Sequence, residues 1–348
     1  AIGIMSGTSL DGLDLCYVEF VHQENWSFKI IASDCIPYDE KWYVNLGSAH
    51  SLSEMELNSL SNEFGRYTGE RVNAFLEKFK LPKPDIVCSH GHTVFHEPAK
   101  KLTLQIGDGE MITQKTGITC ISDFRSLDVS LGGQGAPLVP IGDELLFTDY
   151  EACLNLGGFS NISFREEGER RAFDICPVNI VLNLLANSLG KPFDSNGSIA
   201  ESGKVDEELL TQLNSLSVYQ ATERPSLARE WLEREFMPII ENSANAIEDK
   251  LRTVTEHTAL QISSVINAKA EKGRVLVTGG GAKNGFLVER ISALSNAKIS
   301  VPNAQIVDYK EALIFAFLGM LRMRGETNVL RSVTGAERDS CSGVINHS

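Results

Sequence analysis

The stretch GIMSGTSLDGLDLCYVEF, Gly3–Phe20, sets two alternating apolar segments around a turn of small and hydroxylic residues. Ile2 and Ile4, then Leu13, Leu15 and Tyr17, fall at period two, the spacing of strands with one buried face. Between them Ser6, Gly7, Thr8, Ser9, Asp11 and Gly12 supply backbone N–H groups, hydroxyls and one carboxylate. The pattern predicts a β-hairpin whose turn holds a nucleotide, with Gly7 and Gly12 adopting positive φ and letting the backbone approach an anion closely. A P-loop would read G-x-x-x-x-G-K-[ST] into a helix and a Rossmann turn G-x-G-x-x-G; neither is present. The structural alternative is an ordinary polar hairpin tip.

A second stretch of this kind follows at Ala152–Phe164, ACLNLGGFSNISF, with Gly157 and Gly158 at the turn and Asn155, Ser160 and Asn161 around it. Two halves that each open with strand, turn and strand suggest a duplicated α/β architecture, although the identity between them is slight. With 348 residues the chain exceeds the roughly 250–300 at which one core stops growing, so two domains and a cleft are expected. GGQGAP, Gly132–Pro137, lies between the halves and reads as a linker. Ser53 and Glu56 form a capping box before Leu57, Leu60, Phe64 and Tyr67, with Val72, Phe75 and Phe79 continuing the helical pattern. Further helices are expected over Ile247–Lys269 and around Leu287, Ile291 and Leu294. Strands are expected at Asp85–His90, Leu102–Ile106, Ile118–Ser122 and Arg274–Thr278.

The net charge of −14 opposes binding to a phosphate backbone, so nucleic acid is not an expected partner. Seven cysteines, an odd number never spaced C-x-x-C, read as buried thiols of a reducing compartment. The longest apolar run, Ala312–Leu321, is far short of the roughly 20 residues that span a bilayer. A soluble cytoplasmic protein without a membrane partner is the expectation.

Three segments invite chemistry. Gly279–Asn284, after a strand and before a helix, suits a nucleotide's flat face or phosphates, or simply a tight turn. SHGHTVFH, Ser89–His96, is the only histidine cluster, and on a regular strand His90 and His92 would share a face. A metal hydrolase could begin with such a pair, yet after His96 the chain offers only His257 and His347 as further histidines. Contact of His90 or Thr93 with a polar ligand is the other reading. Asp174, in AFDICPVN, stands where an apolar strand meets a proline turn, placed to act as a general base or to cap the following helix. Asp194 and Gly197 suit a turn, and Asp143 and Glu311 read as isolated acids.

The ordered set is more specific than its members. GIMSGTSLDGLD, SHGHTVFHEP, LQIGDG, SDFR, GGQGAPLVP, NLGGFSNIS, FDICPVN, FDSNGSIAESG, VTGGGAKNGFL, EALIFAFLG and SVTGA together resemble the anhydro-N-acetylmuramic acid kinase family across essentially the whole chain. The resemblance implies an α/β, two-lobed actin-like ATPase (ribonuclease H-like) fold with an interdomain cleft. Residues 1–129 plus 326–348 would form the N-terminal lobe and 130–325 the C-terminal lobe. It implies ATP and Mg²⁺ as cofactors, with Gly7, Thr8, Ser9, Asp11, Gly12, Gly157 and Gly158 at the phosphates and Gly279, Gly280, Gly281 and Asn284 beside the adenosine. It implies an amino-sugar substrate lying against His90, Thr93, Gly135 and Glu311, with Asp174 taking a proton from an attacking water. No protein side-chain cluster is implied as a metal site, and a homodimer is left open.

The chain departs from the family's usual text at three places. FDTGPGN becomes FDICPVN, with Ile175, Cys176 and Val178; KSTGRE becomes PSLARE at Pro225–Glu230; HGQT becomes HGHT, with His92. Valine takes positive φ only at a cost, so a glycine-dependent backbone at Val178 would be reshaped. All three changes are expected on the sugar side, with the nucleotide side intact. An active kinase, or a catalytically weak ATP-binding relative that senses a cell-wall sugar or a protein partner, both fit these changes.

Overall fold

The structure, a computed structural model, describes residues 1–221 and 226–348. The chain forms two compact units, Ala1–Phe147 with Tyr309–Ser348, and Thr148–Asp308. The first sheet is built from β1 (Ile2–Ser6), β2 (Leu13–His22), β3 (Trp26–Ile36), β4 (Val87–Glu97), β5 (Leu102–Ile106), β6 (Cys120–Ser122) and a C-terminal strand, Val344–Asn346. Strands β3, β2 and β1 form an antiparallel meander; β4 joins β1 in parallel and β6 joins β4 in parallel. The second unit repeats this order with β7 (Ala152–Leu156), β8 (Phe159–Glu166), β9 (Glu169–Pro177), β10 (Arg274–Thr278) and β11 (Lys298–Ser300). There β9, β8 and β7 are the meander, β10 is parallel to β7, and β11 is parallel to β10. The duplication that is faint in sequence is therefore explicit in strand order and direction.

Each unit has its own core. Helix Glu54–Phe79 starts at the expected capping box, with Ser53 and Glu56 each satisfying the other's backbone N–H. It buries Leu57, Leu60, Phe64, Val72 and Phe75 along one stripe. Helix Ile247–Lys269 plays the corresponding role beneath the second sheet, burying Leu251, Val254, Ile262 and Ile266. Helix Ala304–Arg324 leaves helical geometry at Tyr309, where one unit gives way to the other. Beyond that point it lies so close to β1 that a Cβ on Gly3 would strike the carbonyl oxygen of Ala312 and stand 2.7 Å from the amide nitrogen of Ala316.

The boundaries differ from the expected 129/130 and 325/326. Phe147 stacks edge-on against Phe28 of β3 at 5.5 Å between centroids, and Asp143 pairs with Lys310 at 2.6 Å, so both segments belong to the first unit. For the same reason Gly132–Pro137 is not a linker. It lies inside the first unit, where the Gln134 N–H donates to the Thr334 carbonyl at 2.8 Å. Asp143 is likewise not isolated: it and Lys310 are both buried. Among the described residues no helix is long and apolar enough to cross a membrane.

Candidate active site

The Gly3–Phe20 hairpin forms as expected, with Ile2 opposite Tyr17 and Ser6 opposite Leu13. Its turn is made differently. Neither Gly7 nor Gly12 takes positive φ; Leu10 does, at 60°. Gly12 is required by packing instead, since a Cβ there would stand 2.5 Å from the Ile36 carbonyl oxygen. A Cβ on Gly7 would meet only Ser9, its hydroxyl at 3.4 Å and its amide nitrogen at 4.0 Å, so Gly7 leaves room for a ligand atom. Thr8, Ser9 and Asp11 are exposed around it.

In the second unit Gly157 and Gly158 occupy the β7–β8 turn as expected. A Cβ on Gly158 would meet nothing nearer than Ile180 Cβ at 3.8 Å, while Gly157 is tighter, 3.2 Å from the Phe159 carbonyl oxygen. Gly279 has φ of 83°, and its missing Cβ makes way for Asn155 Oδ1 and the Leu156 carbonyl; Gly281 packs against Leu156 Cβ at 2.7 Å. Two of the three glycines are thus explained by the seating of this turn on β7, and Gly280, exposed, is the open one. Asn284 spends its side chain as the N-cap of helix Gly285–Leu294, its Oδ1 accepting from the Leu287 N–H at 3.0 Å.

Asp174 lies on β9. Ser160 pairs with Cys176 and Asn161 with Asp174, so β9 carries one extra residue, Ile175, and the strand bulges beside the carboxylate. Asp174 Oδ2 accepts from the Leu227 N–H at 2.9 Å. Burial raises the carboxyl above its ordinary range, and the Leu227 bond offsets this only in part. It does not cap the next helix. Helix Asn179–Asn187 starts without a side-chain cap, and the Val178 and Asn179 N–H groups donate to the Gly158 and Gly157 carbonyls at 2.8 and 3.2 Å.

The structure gives the substituted residues these surroundings. Val178 holds φ of −131°, so no left-handed backbone is forced on it. Cys176, fully buried, lies 3.3 Å from the Ser160 hydroxyl of the second hairpin. His92 Nδ1 lies 2.9 Å from the Ser6 hydroxyl of the first. Two of the three changes thus touch a hairpin: His92 the first, Cys176 the second. In the third block Pro225 falls outside the described residues, and Leu227 reaches Asp174 through its backbone.

His90, Thr93, Gly135 and Glu311 all fall in the first unit. His90 and His92 do not share a face, because Gly91 between them has φ of 71° and breaks the alternation. Arg125, which sequence reasoning did not single out, ties two of the four together. Its Nε and a terminal nitrogen donate to His90 Nε2 at 3.1 and 2.9 Å, and its other terminal nitrogen donates to the Gly135 carbonyl at 2.5 Å. Arginine accepts no hydrogen bond, so His90 carries its proton on Nδ1 and donates it to the Gly91 carbonyl at 2.9 Å. Burial first, then the Arg125 charge, hold His90 well below its ordinary pKa, while burial brings Arg125 down to about 10. The Gly135 N–H donates to Asp128, itself fully buried and receiving the Thr334 hydroxyl at 2.7 Å.

Thr93 receives a long hydrogen bond from Gln105 across the β4–β5 pair, at 3.5 Å. Glu311 is open to water yet sits in surroundings dense enough to raise its carboxyl, against the pull of Arg125 and Lys310; it is not isolated. A polar cavity of about 230 Å³ opens beside His90, bounded by Ser89, Gly91, Thr103, Gln105 and Asp123.

Two units of matching strand order, each opening on a hairpin with an open glycine at its turn, and a raised carboxylate beside one of them, define an actin-like ATPase of the sugar-kinase class. A profile of the anhydro-N-acetylmuramic acid kinase family matches residues 1–348. The chain is 36% identical over 369 residues to the anhydro-N-acetylmuramic acid kinase of Mannheimia succiniciproducens, covering 99% of this chain and 98% of that one. It is 37% identical over 364 residues to that of Pseudomonas fluorescens, with the same coverage. Among solved structures it aligns with a ROK family glucokinase from Streptomyces griseus at a TM-score of 0.40 and 9% identity, over 91% of this chain and 98% of that one. The chain belongs to the anhydro-N-acetylmuramic acid kinase family.

Proposed function

We propose that this protein uses ATP and water to convert 1,6-anhydro-N-acetylmuramic acid to N-acetylmuramic acid 6-phosphate, releasing ADP, in the cytoplasmic recycling of cell-wall sugar. The observation that carries the mechanism is Asp174, a half-buried carboxylate on a bulged strand, one oxygen fixed by the Leu227 N–H. Water attacks the anomeric carbon and gives its proton to Asp174; the C1–O6 bond breaks, and O6 takes the γ-phosphoryl group. A carboxylate raised by burial is a stronger base than an exposed one, and proton transfer of this kind is worth about 10²- to 10⁴-fold.

The first unit offers Gly7, Thr8 and Ser9 to phosphate, with room left by the missing side chain at Gly7; within the second unit the Gly157–Gly158 turn, open at Gly158, offers a like surface. The nucleoside would lie against the open Gly280. Mg²⁺, when bound, would neutralise phosphate charge; it commonly takes one or two carboxylates with phosphate oxygens, and Asp11 is the exposed carboxylate of the first turn. On the sugar side, Arg125 holds His90 and Gly135 in place, while Thr93 and Glu311 offer a hydroxyl and a carboxylate to the ring. Both ring nitrogens of His90 already have protein partners, so its contact with sugar would run through the ring edge or through Arg125.

The test is stoichiometry. Purified protein given Mg-ATP and the anhydro sugar is expected to form one ADP per sugar phosphate, and no ADP when the sugar is omitted. ATP binding without turnover would overturn this reading in favour of a different sugar or of a catalytically weak sensor.

A further inference from the structure

We propose that His92 is a positioning residue for the nucleotide loop, acting through Ser6 at the foot of the Gly7–Gly12 turn. The inference rests on the reading that this turn holds the phosphates of ATP. It begins with the backbone. Strand β4 runs parallel to β1 with Ile4 opposite Ser89, and then slips so that Ser6 stands opposite His92. The slip falls at Gly91, whose φ of 71° suits glycine and whose missing Cβ leaves 2.6 Å to the Ile106 carbonyl oxygen. Without it the ring of His92 would follow the regular alternation of the strand.

The contact so created is buried and closed. Ser6 is 2% exposed and His92 3%. Tyr38 donates its hydroxyl to Ser6 at 2.6 Å, which leaves the single Ser6 hydrogen for His92 Nδ1 at 2.9 Å. His92 is then the neutral tautomer with its proton on Nε2, in keeping with a pKa that burial lowers to about 4. Phe64 meets its ring edge-on at 6.4 Å between centroids. Ser6 is the last residue of β1, and its neighbour Gly7 is the open glycine of the turn. A chain from Tyr38 through Ser6 to His92 therefore fixes the residue from which the phosphate-facing amides spring. An acceptor lost at His92 leaves a buried hydroxyl hydrogen unpaired, which the loop can relieve only by moving.

The experiment measures ATP affinity by displacement of a fluorescent ATP analogue, together with KM for ATP and for the anhydro sugar, in the full-length chain. His92→Leu removes the acceptor, and His92→Gln keeps one in its side-chain oxygen. His92→Leu is expected to weaken ATP about tenfold, the scale of one hydrogen bond, and to leave the sugar KM within about twofold. His92→Gln is expected to restore ATP affinity to within about threefold of the parent. Tyr38→Phe, a smaller change, is expected to weaken ATP in the same direction and keeps the question answerable should His92→Leu fail to fold.

Unchanged ATP affinity in both His92→Leu and Tyr38→Phe would overturn the proposal, as would a rise in the sugar KM alone. A Gln variant as impaired as Leu would overturn the hydrogen-bond account. Gly7→Val is the separate control on the loop. If it binds ATP normally, the reading of the turn fails and the proposal goes with it. If it loses ATP while His92→Leu does not, the positioning role alone is lost.

Discussion

In the proposed mechanism Asp174 takes the proton of the attacking water, and its surroundings make a pH prediction. The base must be ionised to take a proton, and burial raises its carboxyl above the ordinary 3.8. Activity is therefore expected to fall as pH drops through that raised value, with an acid limb above the range of an exposed aspartate. Asp174→Asn is expected to lower ring opening by at least about 10²-fold while sparing ATP binding. Near-normal turnover in the variant would remove Asp174 from this role. That Asp174 lies on a strand leading into a helix was legible from local sequence, although the strand runs on to Pro177. Arg125 was not, because its importance lies in reaching His90 and Gly135, 35 and 10 residues away in the chain. The isolation assigned to Asp143 failed for the same reason, since Lys310 is distant in sequence and adjacent in space.

At the scale of elements, amphipathic periodicity and capping chemistry located the two longest helices, whereas Ala304–Arg324 showed in the sequence only as the apolar run Ala312–Leu321. Ile247–Lys269 has the expected bounds, and Ser53 caps the helix from Glu54 through its box with Glu56. The turns were less legible. Leu10 rather than a glycine took positive φ, and Gly91 broke a strand that reads as regular, because a bulge is set by the neighbouring strand and not by local sequence. Glycine chemistry gives a paired test. Gly3→Ala drives a methyl into the helix backbone at Ala312 and Ala316, and is expected to cost about 1–3 kcal/mol in urea unfolding. Gly47→Ala, on an exposed helix with only Leu10 Cδ1 at 3.4 Å, is expected to be neutral or to stabilise by up to about 1 kcal/mol. Equal effects would contradict the packing of β1 described here.

For the whole molecule, the duplicated strand order was visible in sequence only as two hairpins, since identity decays while hydrogen-bond topology persists. The unit boundaries shifted because Phe147 and Lys310 are claimed by distant partners that composition does not reveal. Buried histidines make stability depend on pH. Burial lowers His92 to about 4 and His257 to about 3, from an ordinary 6.5, so the unfolded chain binds the extra protons between those values. Their contribution is complete above pH 6.5 and is lost as pH falls through the folded pKa, by on the order of a few kcal/mol each. Asp174 and Glu311, raised by burial, act in the opposite sense, so the variants isolate the histidines. The Tm of the parent is expected to decline from pH 6.5 towards 4, and His92→Gln to flatten that decline; an identical slope in the variant would contradict a buried neutral His92.

The central claim is that one protein couples hydrolysis of the anhydro bridge to phosphorylation of O6. Incubation with Mg-ATP and 1,6-anhydro-N-acetylmuramic acid in ¹⁸O-water, followed by mass spectrometry, tests it directly. The account predicts N-acetylmuramic acid 6-phosphate carrying one ¹⁸O at the anomeric carbon and none in the phosphate. A phosphate that carries the label, or an intact anhydro sugar in a sample that binds ATP, would contradict it.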